Sequence, residues 1–548
     1  MQKIFTLILL ILFVNSCGEK KNLSSTIVIG TSKDIESLNP LYDYCYLEGN
    51  ITSLLYSSLV QHKWDSKSNK IITYPMLAES WQWNNERTEL EIILRNDIYW
   101  SDSTKITVDD FIFSYELYSS PDVQSRYFGM FNNYFLNSDK KIDIDKSFSK
   151  FSGQKLIVKF RENSAPTLYD IDLPILPKHN LNKLSVQELK NSTFTDSLIT
   201  SGPLKLVDWK KTQFMRFKKN PISVLASSDM PDEYIFKIVP NYNNMLIQLT
   251  NGEIDFVEEL KPVDKESLIN EKSLIISSVK GREYDFIGWN NIDPLKLSEN
   301  NRTEPNPLFG SSEIRKALTQ AIDTETILEE YLLNNGEPAF GPIAPIFKNY
   351  YNAQLNNINF NPSASKNMLS KLGWKDSNNN GTIDKDGVEF GFTLIYPSGN
   401  PRRKFAATMI KKNLSDIGIN VEINSLDMNQ FGQKIFTYDF EACMLGWLVP
   451  LPIDLKPFWH SDKNIAQANF VSFSNGEVDD LLTKNEAKIT DLEYKMNIGR
   501  IQEILSDEQP VTFLYWIDNI VAHNKRITNV KITPMGALHH IWEWELAE

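Results

Sequence analysis

The chain has few cysteines, few histidines and almost no long apolar run. Its 548 residues include 3 Cys and 6 His. Setting Cys17 aside, only Cys45 and Cys443 remain, which is too few for a disulfide framework. Stability must come from large hydrophobic cores, which a chain of this length can bury. The histidines are scattered except for His539-His540, which reads as structural. No Gly-x-Ser-x-Gly, His-Glu-x-x-His, P-loop or Cys-x-x-Cys pattern occurs, so no nucleophile, metal centre or nucleotide site announces itself, and no cofactor is expected. Beyond the N-terminus no stretch reaches about 18 consecutive apolar residues, so no later membrane-spanning helix is expected. Positive charge is in deficit: 57 Lys and Arg against 70 Asp and Glu give a net −13, which argues against nucleic acid as a partner and serves solubility. Repeats and low-complexity linkers are missing too, apart from Asn-rich loops such as Asn378-Asn379-Asn380.

What is present is the composition of a globular protein, 41% hydrophobic and 23% charged, at a length that implies several domains. The N-terminus has an export layout. Met1-Gln2-Lys3 is basic, Ile4 to Val14 is apolar, and Asn15-Ser16-Cys17 precedes a polar stretch. A cysteine at that place resembles a bacterial lipobox. The expectation is removal of residues 1–16, a lipid on Cys17, and a tether over residues 17–25 that anchors the protein to a membrane without spanning it. The alternative is an ordinary cleaved signal with an incidental cysteine.

Residues 77–121 are the most informative. Leu90, Ile92 and Leu94 alternate as a half-buried strand requires. Thr107 and Asp110 have capping-box spacing, Val108, Phe111, Ile112 and Tyr115 share a helical face, and Ser119-Ser120-Pro121 ends the helix. Thr26 to Gly30 reads as a first strand, residues 34–46 as a loop and residues 50–59 as a helix. Further on, Ile314, Ala317, Leu318 and Ala321 form one helical stripe. Residues 405–417 form another helix, closed by Gly418 and followed by the alternation Ile419, Val421, Ile423.

Together these segments resemble the family-5 extracellular solute-binding proteins, the group of peptide, oligopeptide and nickel receptors of ABC importers. Leu77-Ala-Glu-Ser-Trp81, the strand ending Leu94-Arg95, and Thr107-Val-Asp-Asp-Phe-Ile-Phe-Ser114 follow the family signature. So do Gly202-Pro203, Asn251-Gly-Glu-Ile-Asp255, Tyr284-Asp-Phe-Ile-Gly-Trp-Asn290, Ile314-Arg-Lys-Ala-Leu-Thr-Gln-Ala-Ile-Asp323 and Gly341-Pro-Ile-Ala-Pro345. Asp102-Ser103 stands where the family has Asp-Gly; Ser201 and Leu204 are further departures.

The resemblance implies an α/β, two-lobed, type II periplasmic-binding-protein fold with an extra domain and a hinge-bending cleft. Mapped onto this chain, lobe I takes residues 24–59, 198–283 and 510–548, the extra domain 60–197, and lobe II 284–509. It further implies a non-enzymatic receptor, expected to act as a monomer. Its partners would be a peptide or other small solute and the permease subunits of an importer, at the periplasmic or extracellular face of the envelope. Nickel chelates and oligosaccharides are alternative cargoes, a receptor without a dedicated transporter an alternative role, and an exported hydrolase the alternative from another class.

The ligand segment implied by the resemblance is Gly446-Trp447 through Asp454 to His460-Ser461. Gly446 would admit a ligand backbone, Trp447 give a flat wall, and Asp454 hold a cationic group. Many peptide receptors carry an Asp three residues after this Trp; here the place is Pro450. Arg402 and Arg403 open a helix and would either pair with a ligand carboxylate or be solvated. Tyr44, Tyr46 and Trp289 sit where the family borders its cleft, and each could equally be core. Asp376, Asn378, Asn380 and Asp384 have the opening spacing of a calcium loop, but Gly387 replaces the closing Glu, so a metal-free turn is the favoured reading.

Overall fold

Two long antiparallel strands organise the molecule. The computed structural model describes residues 25–43, 45–191, 198–300, 303–355 and 357–547; Cys17 and Tyr44 lie outside them. The central sheet is built from β1 (Thr26–Thr31), β2 (Leu204–Lys210), β3 (Phe214–Lys219), β4 (Glu233–Ile238), β5 (Phe256–Val257), β6 (Leu274–Trp289), β7 (Gly336–Pro338), β8 (Gly391–Pro397), β9 (Asn420–Leu426), β10 (Ala442–Leu448) and β11 (Val511–Asn524). Its order is β9-β8-β10-β6-β11-β5-β1-β4-β3-β2, with β7 on β11. One wing (β9, β8, β10) lies on one side of the β6–β11 pair and the other (β5 to β2) on the other side. The pairing of β6 with β11 breaks between Val279 and Glu283, where a side chain at Gly281 would overlap the Ile517 carbonyl.

Alternation along β6 sorts its side chains onto opposite faces. Tyr284 and Phe286 join a core with Phe347, Trp459, Phe513 and Trp516. Ile287 and Trp289 join a second core with Phe309, Leu318, Ile410 and Tyr515. The second core lies under α3 (Ser312–Gln320) and α4 (Pro401–Ser415), and the stripe Ile314, Ala317, Leu318 and Ala321 is buried in it as the spacing predicts.

Residues 60–191 carry their own sheet, in the order Ala78–Trp83, Glu89–Leu94, Lys155–Lys159, Phe148–Lys150, beside the ribbon Val60–Asp65/Lys70–Pro75. The helix Val108–Tyr118 starts at Thr107, whose backbone N–H donates to Asp110 at 2.9 Å while its hydroxyl accepts from Asp109 N–H. The interior of this segment is continuous with that of the first strand and helix.

The first helix, α1 in chain order, spans Tyr46–Leu55 rather than residues 50–59. Cys45 serves as its N-cap, and Glu48 reaches back to the Cys45 N–H at 3.2 Å. Tyr46 thus sits on the first helical turn and not in a loop. Residues 419, 421 and 423 alternate as expected, with Ile419 and Val421 buried beside β9.

Candidate functional site

On the Tyr284 side of β6 distant parts of the chain meet. Lys488 N–H donates to the Asn163 carbonyl at 3.1 Å, Ser164 and Ala487 pair as a bridge, and Trp64 meets the edge of Phe347 at 6.1 Å. These contacts join residues 60–191 to the part of the chain that holds Phe347 and Ala487.

Trp447 sits near the end of β10, half-buried against Phe286 (4.4 Å between ring centroids), Phe458 (4.9 Å) and Trp459 (5.5 Å). It caps an aromatic core and keeps part of its surface exposed, as a cleft wall must. Asp454 is solvent-accessible yet hemmed in by protein, which raises its carboxyl above the usual range; its Oδ1 accepts from Lys456 N–H at 2.9 Å. Its charge reaches Tyr494, whose hydroxyl donates to the Ile453 carbonyl at 2.7 Å and whose ring meets Tyr350 edge-on at 5.8 Å. Tyr169 of the inserted segment stacks on His62 at 4.0 Å.

From lobe I, the Tyr46 hydroxyl donates to Glu258 at 3.2 Å. Glu258 also accepts the Ala537 N–H at 3.0 Å, and burial together with the neighbouring Glu259 pushes its carboxyl up to about 7. Gly536 has φ +114°, and any side chain there would collide with the Tyr46 hydroxyl. Glycine is thus required both for the turn and for the approach of the tyrosine.

The remaining residues take other places. Trp289 has no exposed surface; it packs on Phe309 and Phe392 and donates its indole N–H to Thr512 at 3.0 Å, away from the cleft. Arg402 and Arg403 are neither solvated nor open. Arg402 Nε donates to Asp285 Oδ2 at 2.7 Å, and Arg403 Nη2 donates to Asp285 Oδ1 at 3.0 Å. Asp285 is fully buried, accepts a further bond from the Tyr515 hydroxyl at 3.3 Å, and is held below the usual carboxylate range by the two guanidinium charges acting against desolvation. The carboxylate these arginines hold is the chain's own. Gly446 belongs to the same cluster: a Cβ there would lie 2.5 Å from Asp285 Oδ1 and 2.6 Å from Arg403 Nη2. Asp285 was not among the site residues expected from the sequence; its signal was an acid inside an apolar strand, a pattern that demands a buried cation.

The Asp376 loop closes on itself. Asp376 and Asn378 accept the Asn380 N–H at 3.1 and 3.0 Å, and Asp384 accepts from Ser377. Among the described residues no group of three or more His, Cys, Asp or Glu is placed to hold a metal ion. Cys45 and Cys443 are unpaired. No helix among the described residues is long and apolar enough to cross a membrane. A cavity of about 390 Å³ bounded by Gln61, Lys63, Leu225, Trp542 and Glu543 contains none of the cleft aromatics and is separate from this site.

Two α/β lobes joined by paired crossover strands, with a cleft closed between them, define a binding protein of the type II periplasmic class. Residues 73–469 match the bacterial extracellular solute-binding proteins, family 5 Middle, and the chain belongs to that family. It is 27% identical to the oligopeptide-binding protein AppA of Bacillus subtilis over 99% of this chain and 98% of that one. The structure of that AppA in complex with a nonapeptide superposes with a TM-score of 0.79 at 27% identity, covering 95% of this chain and 99% of the other. NikZ of Campylobacter jejuni, solved with Ni(L-His), shares the fold with a TM-score of 0.79 at 22% identity, over 95% and 99% of the two chains.

Proposed function

We propose that the protein is the lipid-anchored, extracytoplasmic receptor of an ABC importer and that it captures a peptide between its lobes. The observation that carries this reading is the end-to-end likeness, in sequence and in structure, to a relative solved with a nonapeptide. The cleft supports it. Aromatic walls from three parts of the chain (Tyr46, Tyr169, Trp447) tolerate varied side chains, while Asp454 and Glu258 offer acceptors for amines. In this reading Trp447, Asp454 and Tyr46 touch the ligand, and Tyr44 flanks them in sequence. Gly446, Arg402 and Arg403 act through the Asp285 cluster instead. Residues 60–197 form the inserted domain, β6 and β11 the connection between lobes, and Cys17 the lipid site.

The test is mass spectrometry of solutes released by denaturing the purified mature protein. Short peptides are expected, and a single non-peptide solute would overturn the cargo. Cys17→Ser should move the protein out of the membrane fraction; its retention there would remove the anchor from the proposal.

A further inference from the structure

Several arginines that the fold partly or wholly desolvates are paired with acids. Arg126 holds Asp43 at 2.8 Å, Arg526 holds Asp255 at 2.6 Å, Arg402 and Arg403 share Asp285, and Arg315 has Glu508 at 3.7 Å. Arg282 breaks the pattern. It is partly buried on β6 at the junction of the lobes, and its Nε donates to the Pro534 carbonyl of lobe I at 3.2 Å while Nη1 donates to the Val449 carbonyl of lobe II. Val449 N–H donates back to the Arg282 carbonyl at 3.0 Å. Both side-chain partners are neutral backbone oxygens, and no described carboxylate forms an ion pair with the guanidinium.

Its surroundings are those of the cleft. The Arg282 charge acts on Tyr46 from lobe I, on Tyr169 from the inserted segment, and on His539, and desolvation holds its own pKa below the usual value. His539, pushed down to about 4 by burial and by Arg282, is neutral at ordinary pH, so Arg282 is the charged member of the pair. A desolvated cation without a counter-ion is costly, and such a group persists where a ligand supplies the missing charge. A guanidinium offers a planar fork that matches a carboxylate.

We infer that Arg282, which bridges Val449 and Pro534 at the junction of the lobes, is the receptor for a ligand carboxylate. This rests on the peptide reading above and adds that the bound peptide must present a carboxylate there, from its C-terminus or from an acidic side chain. Arg282 already bonds to Val449 and Pro534, so an anion seated on it also neutralises a charge that the fold desolvates.

The test uses the full mature protein, immobilised after removal of endogenous ligand, and four pools of short random-sequence peptides. The pools have a free-acid or an amidated C-terminus, each with or without Asp and Glu. Retention is read by mass spectrometry. The amidated pool lacking Asp and Glu should be retained at least about tenfold less than the free-acid pools, a factor equivalent to ~1.4 kcal/mol. Arg282→Gln should bring that ratio towards one, and Arg282→Lys should restore part of it. The two remaining pools separate the terminal carboxylate from the side-chain one. Equal retention of all four pools by the parent protein overturns the assignment of Arg282 and leaves peptide binding standing. Retention of none overturns both. The comparison within the parent protein stands even where a variant fails to fold.

Discussion

Replacing Gly446 with Ala separates two roles for that position. If the glycine exists to let a ligand approach, Gly446→Ala should weaken binding and leave stability alone. The geometry points the other way. The added methyl would stand 2.5 Å from Asp285 Oδ1 and 2.6 Å from Arg403 Nη2, well inside van der Waals contact. Both atoms belong to a fully buried carboxylate and a guanidinium with little exposure, so neither can swing into water. One partner must leave, and breaking a buried ion pair from one side costs about 3–5 kcal/mol. Asp285→Asn should cost a similar amount, because two buried guanidiniums lose their counter-charge. Since both changes act on one cluster, the double variant should be much less destabilised than the sum of the two. Urea unfolding of the ligand-free protein, followed by the fluorescence of the lobe II tryptophans, measures all three. The contribution has a defined pH sign: Asp285 is held below its unfolded value, so its stabilisation is present above about pH 4 and lost as the pH falls through the lowered value. A Gly446→Ala protein that is as stable as the parent and binds less tightly would refute this reasoning.

Trp447→Ala should weaken peptide binding by ~2 kcal/mol in calorimetry, as expected for a cleft anchor; unchanged affinity in a folded variant would make the residue purely part of the aromatic core. Asp454→Asn should penalise peptides with a free amine more than acetylated ones, and an equal effect on both would remove it from amine recognition. Ser103 takes φ +70°, a conformation that glycine adopts without steric cost, so Ser103→Gly should raise stability by about 0.5–1 kcal/mol, read as a higher unfolding midpoint. Glu258 is raised to about 7 in the folded protein. The fold therefore binds more protons than the unfolded chain between roughly pH 4.3 and 7. Stability should fall as the pH rises through that window and level off above it. Glu258→Gln should flatten the slope, and an unaltered pH profile would count against the assignment.

The parts of the fold readable in advance were those written locally. The alternation at Leu90, Ile92 and Leu94, the Thr107 cap and the stripe from Ile314 to Ala321 each depend on residues within a few positions of one another, and each element formed as read. The start of α1 was misplaced because its cap is Cys45, a residue type with weak capping preference that only Glu48 makes effective. The cleft was less legible. Asp285 and Arg402 are 117 positions apart, and nothing in either local sequence names the other. Tyr350 and Tyr494 resemble any other loop or helix tyrosine until two segments bring them together. Trp289 fits its motif, and the motif there serves the core.

The broken ladder at Gly281 has a mechanical consequence. On either side of it β6 and β11 pair again, with one further register shift between Asp285 and Phe286, and this pairing resists sliding of one lobe along the other. What remains soft is torsion about one short stretch of two parallel cords. Opening and closing is then a motion along a single arc, and ligands of different size differ in how far along that arc the lobes come to rest. A transporter that docks on both lobes at once would meet one angle only. Selection among cargoes that all fit the cleft would then fall to the angle at which each one stops the swing.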